Sequence, residues 1–139
     1  MDNIEYNFID VEIPDFDPEF FNLWISKVVD FYQWHLGDIN YVFVTDDYLL
    51  YINKEHLDHD YYTDIITFNY NEESSLSGDM FISLDRVKDN AKEFGNGSFH
   101  DELCRVVVHG LLHLGGFNDK SNEDEVEMRK QEELCLSLR

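Results

Sequence analysis

Apolar and polar residues alternate over residues 4–13 (IEYNFIDVEI), the period-two pattern of a strand with one buried face. The pattern changes at Asp17-Pro18, an aspartate cap followed by a proline suited to the first helical position. Phe21, Trp24, Ile25, Val28, Phe31 and Tyr32 then recur at helical spacing, and Gly37 reads as the stop. Residues 39–44 (INYVFV) read as a second strand, and Asp46 as the cap of a short helix carrying Tyr48, Leu49 and Ile52. Residues 63–70 (TDIITFNY) and 79–84 (DMFISL) read as a third and a fourth strand, joined by an acidic, serine-rich loop over 71–78. The remainder reads as helix. Asp85 caps a segment running through Phe94 to Gly95. Ser98-Phe99-His100-Asp101 resembles a capping box, and its helix carries Val106, Val107, His109 and His113 to Gly115-Gly116. Ser121-Asn122-Glu123-Asp124 repeats the signature and opens a last helix towards Arg139.

No internal repeat and no linker divides this pattern, so residues 1–139 form one domain. The expected class is α/β (α+β): a four-stranded mixed sheet packed by helices, with an HxxxH helix in the C-terminal half. No apolar run approaches the roughly 18 residues of a membrane span. Met1-Asp2-Asn3-Ile4-Glu5 has neither the basic start nor the apolar stretch of a signal peptide, which fits a cytoplasmic protein. Cys104 and Cys135 form neither a CxxC pair nor a disulfide framework, as expected in a reduced compartment. Charge complicates the picture. Thirty acidic and ten basic residues give a formal net charge of −20, which repels a polyanion at long range unless a local groove reverses the field.

The chemistry concentrates in Val106-Val-Val-His109-Gly110-Leu-Leu-His113-Leu-Gly-Gly116-Phe-Asn-Asp119. Residues four apart share one helix face, so the two imidazoles can bind a single ion. A third ligand must come from beyond the helix. Gly115-Gly116 allows a chain reversal, and Asp119 then completes a two-histidine, one-carboxylate set with a position left for water, the pattern of a catalytic zinc site. Asn118, a neutral amide, is the poorer donor. An HxxxH pair on an apolar helix is usually packing; the reversal and the following carboxylate are what favour a site here. Zinc is expected at one ion per chain, with nickel or another divalent ion as alternatives. Zinc peptidases place glutamate directly after the first histidine as general base, and this chain has Gly110 there.

These residues resemble the HGxLHLxGyDH signature of the YbeY endoribonucleases. Asn53-(x9)-Thr63-Asp64-Ile-Ile-Thr-Phe68 resembles the family's LNxxYRxxDxPTDVLSF segment, and Gly78-Asp79-Met-Phe-Ile-Ser83 its LGDIxIS strand. Glu102-(x2)-Arg105-(x3)-His109 matches the lead into the histidine helix, so the likeness covers roughly residues 50–130. The resemblance implies a zinc-dependent, single-strand-specific endoribonuclease of ribosomal RNA maturation, acting in small-subunit 3′-end processing and ribosome quality control. The implied partners are ribosomal RNA, ribosomal subunits and assembly factors. Two departures stand out: the family's third histidine falls on Asp119, and the tyrosine and arginine of its YR pair fall on His56 and Leu57. His59, Lys54 or Arg105 are the candidates to replace that guanidinium.

Arg105, one turn before His109, is expected either to neutralise charge on the phosphate or to pair with Asp101 or Glu102. Asp79 and Asp64, at strand starts with Thr63 beside them, are expected to orient a ligand histidine, accept a proton or satisfy turns. Tyr61-Tyr62 are candidates for base stacking. His35 and His100 read as surface histidines, and Glu123–Glu133 as a solvated helix face balanced by Arg129 and Lys130. Two alternatives remain: a non-catalytic, metal-binding assembly factor, and another metal hydrolase such as a peptidase.

Overall fold

A computed structural model describes residues 3–57, 63–72, 75–93 and 98–139, with the backbone alone at Leu57. The elements run β1 (Ile4–Phe8), α1 (Pro18–Phe31), β2 (His35–Val44), α2 (Asp46–Leu57), β3 (Ile65–Asn69), β4 (Ser75–Ser83), α3 (Leu84–Glu93), α4 (Phe99–Leu114) and α5 (Asn122–Leu136). The four strands form one mixed sheet in the order β1-β2-β4-β3. β2 lies parallel to both β1 and β4, and β3 pairs antiparallel with β4.

Strand alternation sorts the core into two unequal layers. Ile39, Tyr41, Phe43, Leu76, Met80 and Ile82 face the larger cluster, built with α1, α3, α4 and α5. Val42, Val44, Ile66, Phe68 and Phe81 face the smaller one, closed by Leu49 and Ile52 of α2. Trp24 Nε1 donates to the Cys135 carbonyl at 2.8 Å and the Tyr41 hydroxyl to the Val107 carbonyl at 3.1 Å, tying α1 to α5 and the sheet to α4. Gly110 lets α4 lie close on this sheet: a Cβ there would press against Met80 Sδ and Ile65 Cδ1.

Three of the helix starts follow the sequence closely; α3 does not, since Ser83 rather than Asp85 caps it, its hydroxyl accepting from the Arg86 N–H at 3.2 Å. Asp17, Ser98 and Ser121 accept backbone N–H bonds from their first turns. Several boundaries differ. The first strand stops at Phe8, because Asp10 takes φ 55 and turns the chain away from the ladder. Gly37 does not end α1. The Trp34 N–H bonds the Val29 carbonyl and the Gln33 N–H the Asp30 carbonyl, with Gln33 at φ 59, so a Schellman closure forms on glutamine. Gly37 instead lies in β2, beside the register shift between Leu36 and Ile39. Thr45, not Asp46, caps α2, its hydroxyl accepting from the Tyr48 N–H at 3.1 Å. The Asp46 carboxylate instead accepts from Ser83 Oγ and Arg86 Nε, joining α2 to α3. Residues 75–78, read as loop, extend β4 and pair with β2. Phe94 and Gly95 lie outside the described residues.

Candidate metal centre

α4 ends in a second Schellman closure, and this one builds the site. The Phe117 N–H bonds the Leu112 carbonyl at 3.0 Å and the Gly116 N–H the His113 carbonyl at 3.1 Å. Gly116 sits at φ +105, which an L side chain resists. At Gly115 a Cβ would collide with the Trp34 indole. That indole stacks on Tyr32 at 4.4 Å between centroids, and Phe117 meets the Tyr32 ring edge-on at 5.8 Å. The reversal is thus clamped by aromatic rings, and it carries Asp119 back over the helix.

The two histidine Nε2 atoms lie 3.1 Å apart. Asp119 Oδ2 is 3.5 Å from His109 Nε2 and 3.4 Å from His113 Nε2. A tetrahedral ion with bonds of about 2.0–2.1 Å requires ligand separations of about 3.3 Å. The trio therefore fits a small divalent ion without rearrangement, and the donor set of two imidazoles and one carboxylate suits a borderline metal.

Behind His109 stands a residue that the sequence reading assigned to solvent. Glu132 of α5 is only 5 % exposed, and its Oε2 lies 2.7 Å from His109 Nδ1. Nδ1–H therefore donates to the carboxylate and Nε2 keeps its lone pair for an ion. Glu132 Oε1 accepts from Arg105 NH1 at 2.9 Å, and Arg105 NH2 reaches Glu133. Burial alone would lower the His109 pKa, but the Glu132 hydrogen bond and the charges of Glu132, Asp64 and Asp119 raise it. Burial alone would raise the Glu132 pKa, but the His109 and Arg105 bonds hold it below the usual carboxylate value. A signal for this residue was present in the sequence. Met128, Glu132 and Cys135 share one buried stripe of α5, and an acid on such a stripe requires a partner.

The other expected residues separate. Arg105 pairs with Glu132 and Glu133 rather than Asp101 or Glu102; Asp101 is bonded instead by Arg139 at 2.9 Å. Asp64 and Thr63 line a cavity of about 540 Å³ together with His109, His113 and Asp119. Burial raises the Asp64 pKa, opposed by His109. Asp79 pairs in register with Phe68 and so faces α2, whereas Gly78 beside it faces Leu114 of α4. The sheet thereby separates Asp79 from the histidine face. Lys54 is exposed on α2, and the His56 ring lies edge-on to Phe68. His59, Tyr61, Tyr62 and the Leu57 side chain lie outside the described residues.

With this geometry in hand, sequence comparison gives the family directly. Residues 9–138 match the family model described as Endoribonuclease YbeY. The chain belongs to the YbeY family. It is 43% identical over 136 residues to the Endoribonuclease YbeY of Bacteroides thetaiotaomicron, covering 98% of both chains. It is 47% identical over 117 residues to that of Cytophaga hutchinsonii, covering 84% of this chain and 81% of the relative. The solution structure of TM1509 from Thermotoga maritima is similar at a TM-score of 0.60 and 29% identity, over 96% of this chain and 89% of that one. YbeY relatives are endoribonucleases, so this chain is an enzyme of a family of RNA hydrolases.

Proposed function

We propose that this YbeY-family chain is a zinc-dependent, single-strand-specific endoribonuclease of ribosomal RNA maturation, acting in the cytoplasm on small-subunit 3′ ends and in ribosome quality control. The observation that carries the metal-hydrolase reading is the convergence of His109 Nε2, His113 Nε2 and Asp119 Oδ2 at the wall of an open cavity. A divalent ion held there supplies Lewis-acid charge to a phosphoryl oxygen and makes a water molecule more acidic. Glu132 fixes the His109 ring and its tautomer, and Arg105 acts through Glu132 as a positioning residue. Asp64, which lines the same cavity and whose pKa is raised by burial, is the proposed proton acceptor. Gly110 argues against peptidase chemistry, because its Cα faces Met80 and Ile65 of the sheet and a glutamate has no room there.

The net charge of −20 bears on how substrate is met. Free RNA is repelled by such a surface, so ribosomal subunits and their assembly factors are the proposed setting in which single-stranded RNA reaches the cavity. No helix among the described residues is long and apolar enough to cross a membrane. The test is cleavage of an unstructured RNA and of isolated ribosomal subunits by zinc-loaded protein, by chelated protein and by a His109→Ala, His113→Ala double variant. Cleavage by the zinc-loaded parent alone is expected. Undiminished cleavage by the chelated protein and the double variant overturns the metal reading; no cleavage of either substrate by the parent favours the assembly-factor alternative.

A further inference from the structure

Two cavities meet at His109 and Asp64, and their charges differ. The larger, about 660 Å³, is lined by Asp64, Asp101, Glu102, Glu132 and Glu133 against three arginines. Each of those arginines already faces a carboxylate: Arg105 at Glu132, Arg129 at 3.7 Å from Glu132, and Arg139 at Asp101. An excess of acid with every cation engaged repels a phosphodiester. The smaller cavity holds all three metal ligands and, among the described residues, one further carboxylate, that of Asp64. Its remaining polar wall is Asn53, Thr63, Thr67 and Asn69, uncharged groups able to donate to phosphate or ribose. Lys120 is the only lysine or arginine lining it among the described residues. Among those residues no carboxylate lies within ion-pair distance of its ammonium. Its place is fixed by the same reversal that fixes Asp119, the residue before it.

Building on the endoribonuclease reading above, we propose that the RNA strand enters the smaller cavity and that Lys120 contacts a backbone phosphate beside the metal site. The lysine then supplies the cation that the rest of this acidic surface withholds. It acts on binding and on placing the phosphate, with no part in holding the ion.

The test uses the zinc-loaded full chain, its Lys120→Ala and Lys120→Arg variants, and Lys27→Ala as a control with the same change in net charge on the exposed side of α1. Affinity is measured for an unstructured, fully 2′-O-methylated oligoribonucleotide across a salt series, and cleavage for the unmodified RNA of the same sequence. Lys120→Ala is expected to weaken binding about fivefold, the upper range for one exposed charge contact. The slope of log affinity against log salt should become shallower by about 0.7, the value for one phosphate on a single strand. Cleavage should fall in step, Lys120→Arg should recover most of it, and zinc content should not change. If Lys120→Ala matches Lys27→Ala in affinity, slope and rate while the parent cleaves, the lysine assignment is wrong and the nuclease reading stands. If the zinc-loaded parent neither binds nor cleaves this RNA and leaves isolated ribosomal subunits uncleaved as well, both fall.

Discussion

Replacing Glu132 by glutamine isolates the contribution of the carboxylate behind His109. The change keeps the side-chain volume and one carbonyl oxygen but removes the charge that two groups share, His109 Nδ1 at 2.7 Å and Arg105 NH1 at 2.9 Å. Outer carboxylates of this kind typically contribute 10- to 100-fold in metal affinity, or about 1.4–2.8 kcal/mol. The lower half of that range is expected here, because Asp64 and Asp119 still bear on the imidazole. Competition between the apo protein and a chromophoric chelator for zinc, at a pH where His109 is neutral in both proteins, measures the term directly. Equal zinc affinity in parent and Glu132→Gln would refute the reasoning.

The same substitution makes a prediction for the metal-free fold, with the signs opposed for the two partners. His109 has a raised pKa in the folded state, so its contribution is complete below its unfolded value near 6.5 and fades as pH rises through the folded one. Glu132 has a lowered pKa, so its contribution is present above its unfolded value near 4.5 and is lost as pH falls through the folded one. The stability difference between apo parent and Glu132→Gln should therefore peak between about pH 4.5 and 6.5 and shrink on both sides. A difference that grows steadily to pH 9 contradicts the pairing.

Three further outcomes follow from the same geometry. Asp119→Ala should lose tight zinc binding while Asn118→Ala retains it, as read by elemental analysis of protein purified without a histidine tag. Gly115→Ala must displace the Trp34 indole and should destabilise the apo protein by about 1–3 kcal/mol in urea unfolding, with weaker zinc binding because the reversal carrying Asp119 shifts. Asp46→Ala, which removes the acceptor of the Ser83 hydroxyl and one of the two carboxylates paired with Arg86, should cost about 1–2 kcal/mol without changing zinc affinity, since this network lies at the α2–α3 junction.

Most of the site was legible because it is local. His109 and His113 are fixed by helical spacing, and Asp119 by a reversal whose glycines can be read directly. Caps at Asp17, Ser98 and Ser121 were legible for the same reason, each being satisfied within three residues. What escaped depends on distant partners. Glu132 reads as one more acid in an acidic helix until α5 packs on α4 and buries it against His109, 23 residues away in sequence. Asp79 shows the same dependence on distant pairing. Its position in the chain is suggestive, but the face it takes depends on the β3–β4 register, where pairing with Phe68 turns it towards α2. Gln33 closes α1 at a position that favours glycine, and the next residue, Trp34, lies against Gly115.

That last contact shows how the fold and the site depend on one another. Trp34 lies just before β2, about eighty residues from the ligands by chain, yet its indole occupies the space that a side chain at position 115 would take. Glycine at 115 and tryptophan at 34 are therefore complementary, and neither is explained by its own neighbourhood in the sequence. Tyr32 links the pair to α5 through its hydroxyl and Gln131, and α5 in turn presents Glu132 to His109. The ring holding Asp119 in place and the carboxylate holding His109 in place thus rest on one interface, that between the end of α1 and α5. A lesion there, such as Tyr32→Ala, disturbs two ligands at once. Such a variant should lose more zinc affinity than Glu132→Gln even though it touches no ligand, and smaller losses in the same chelator competition would show that the two supports are independent.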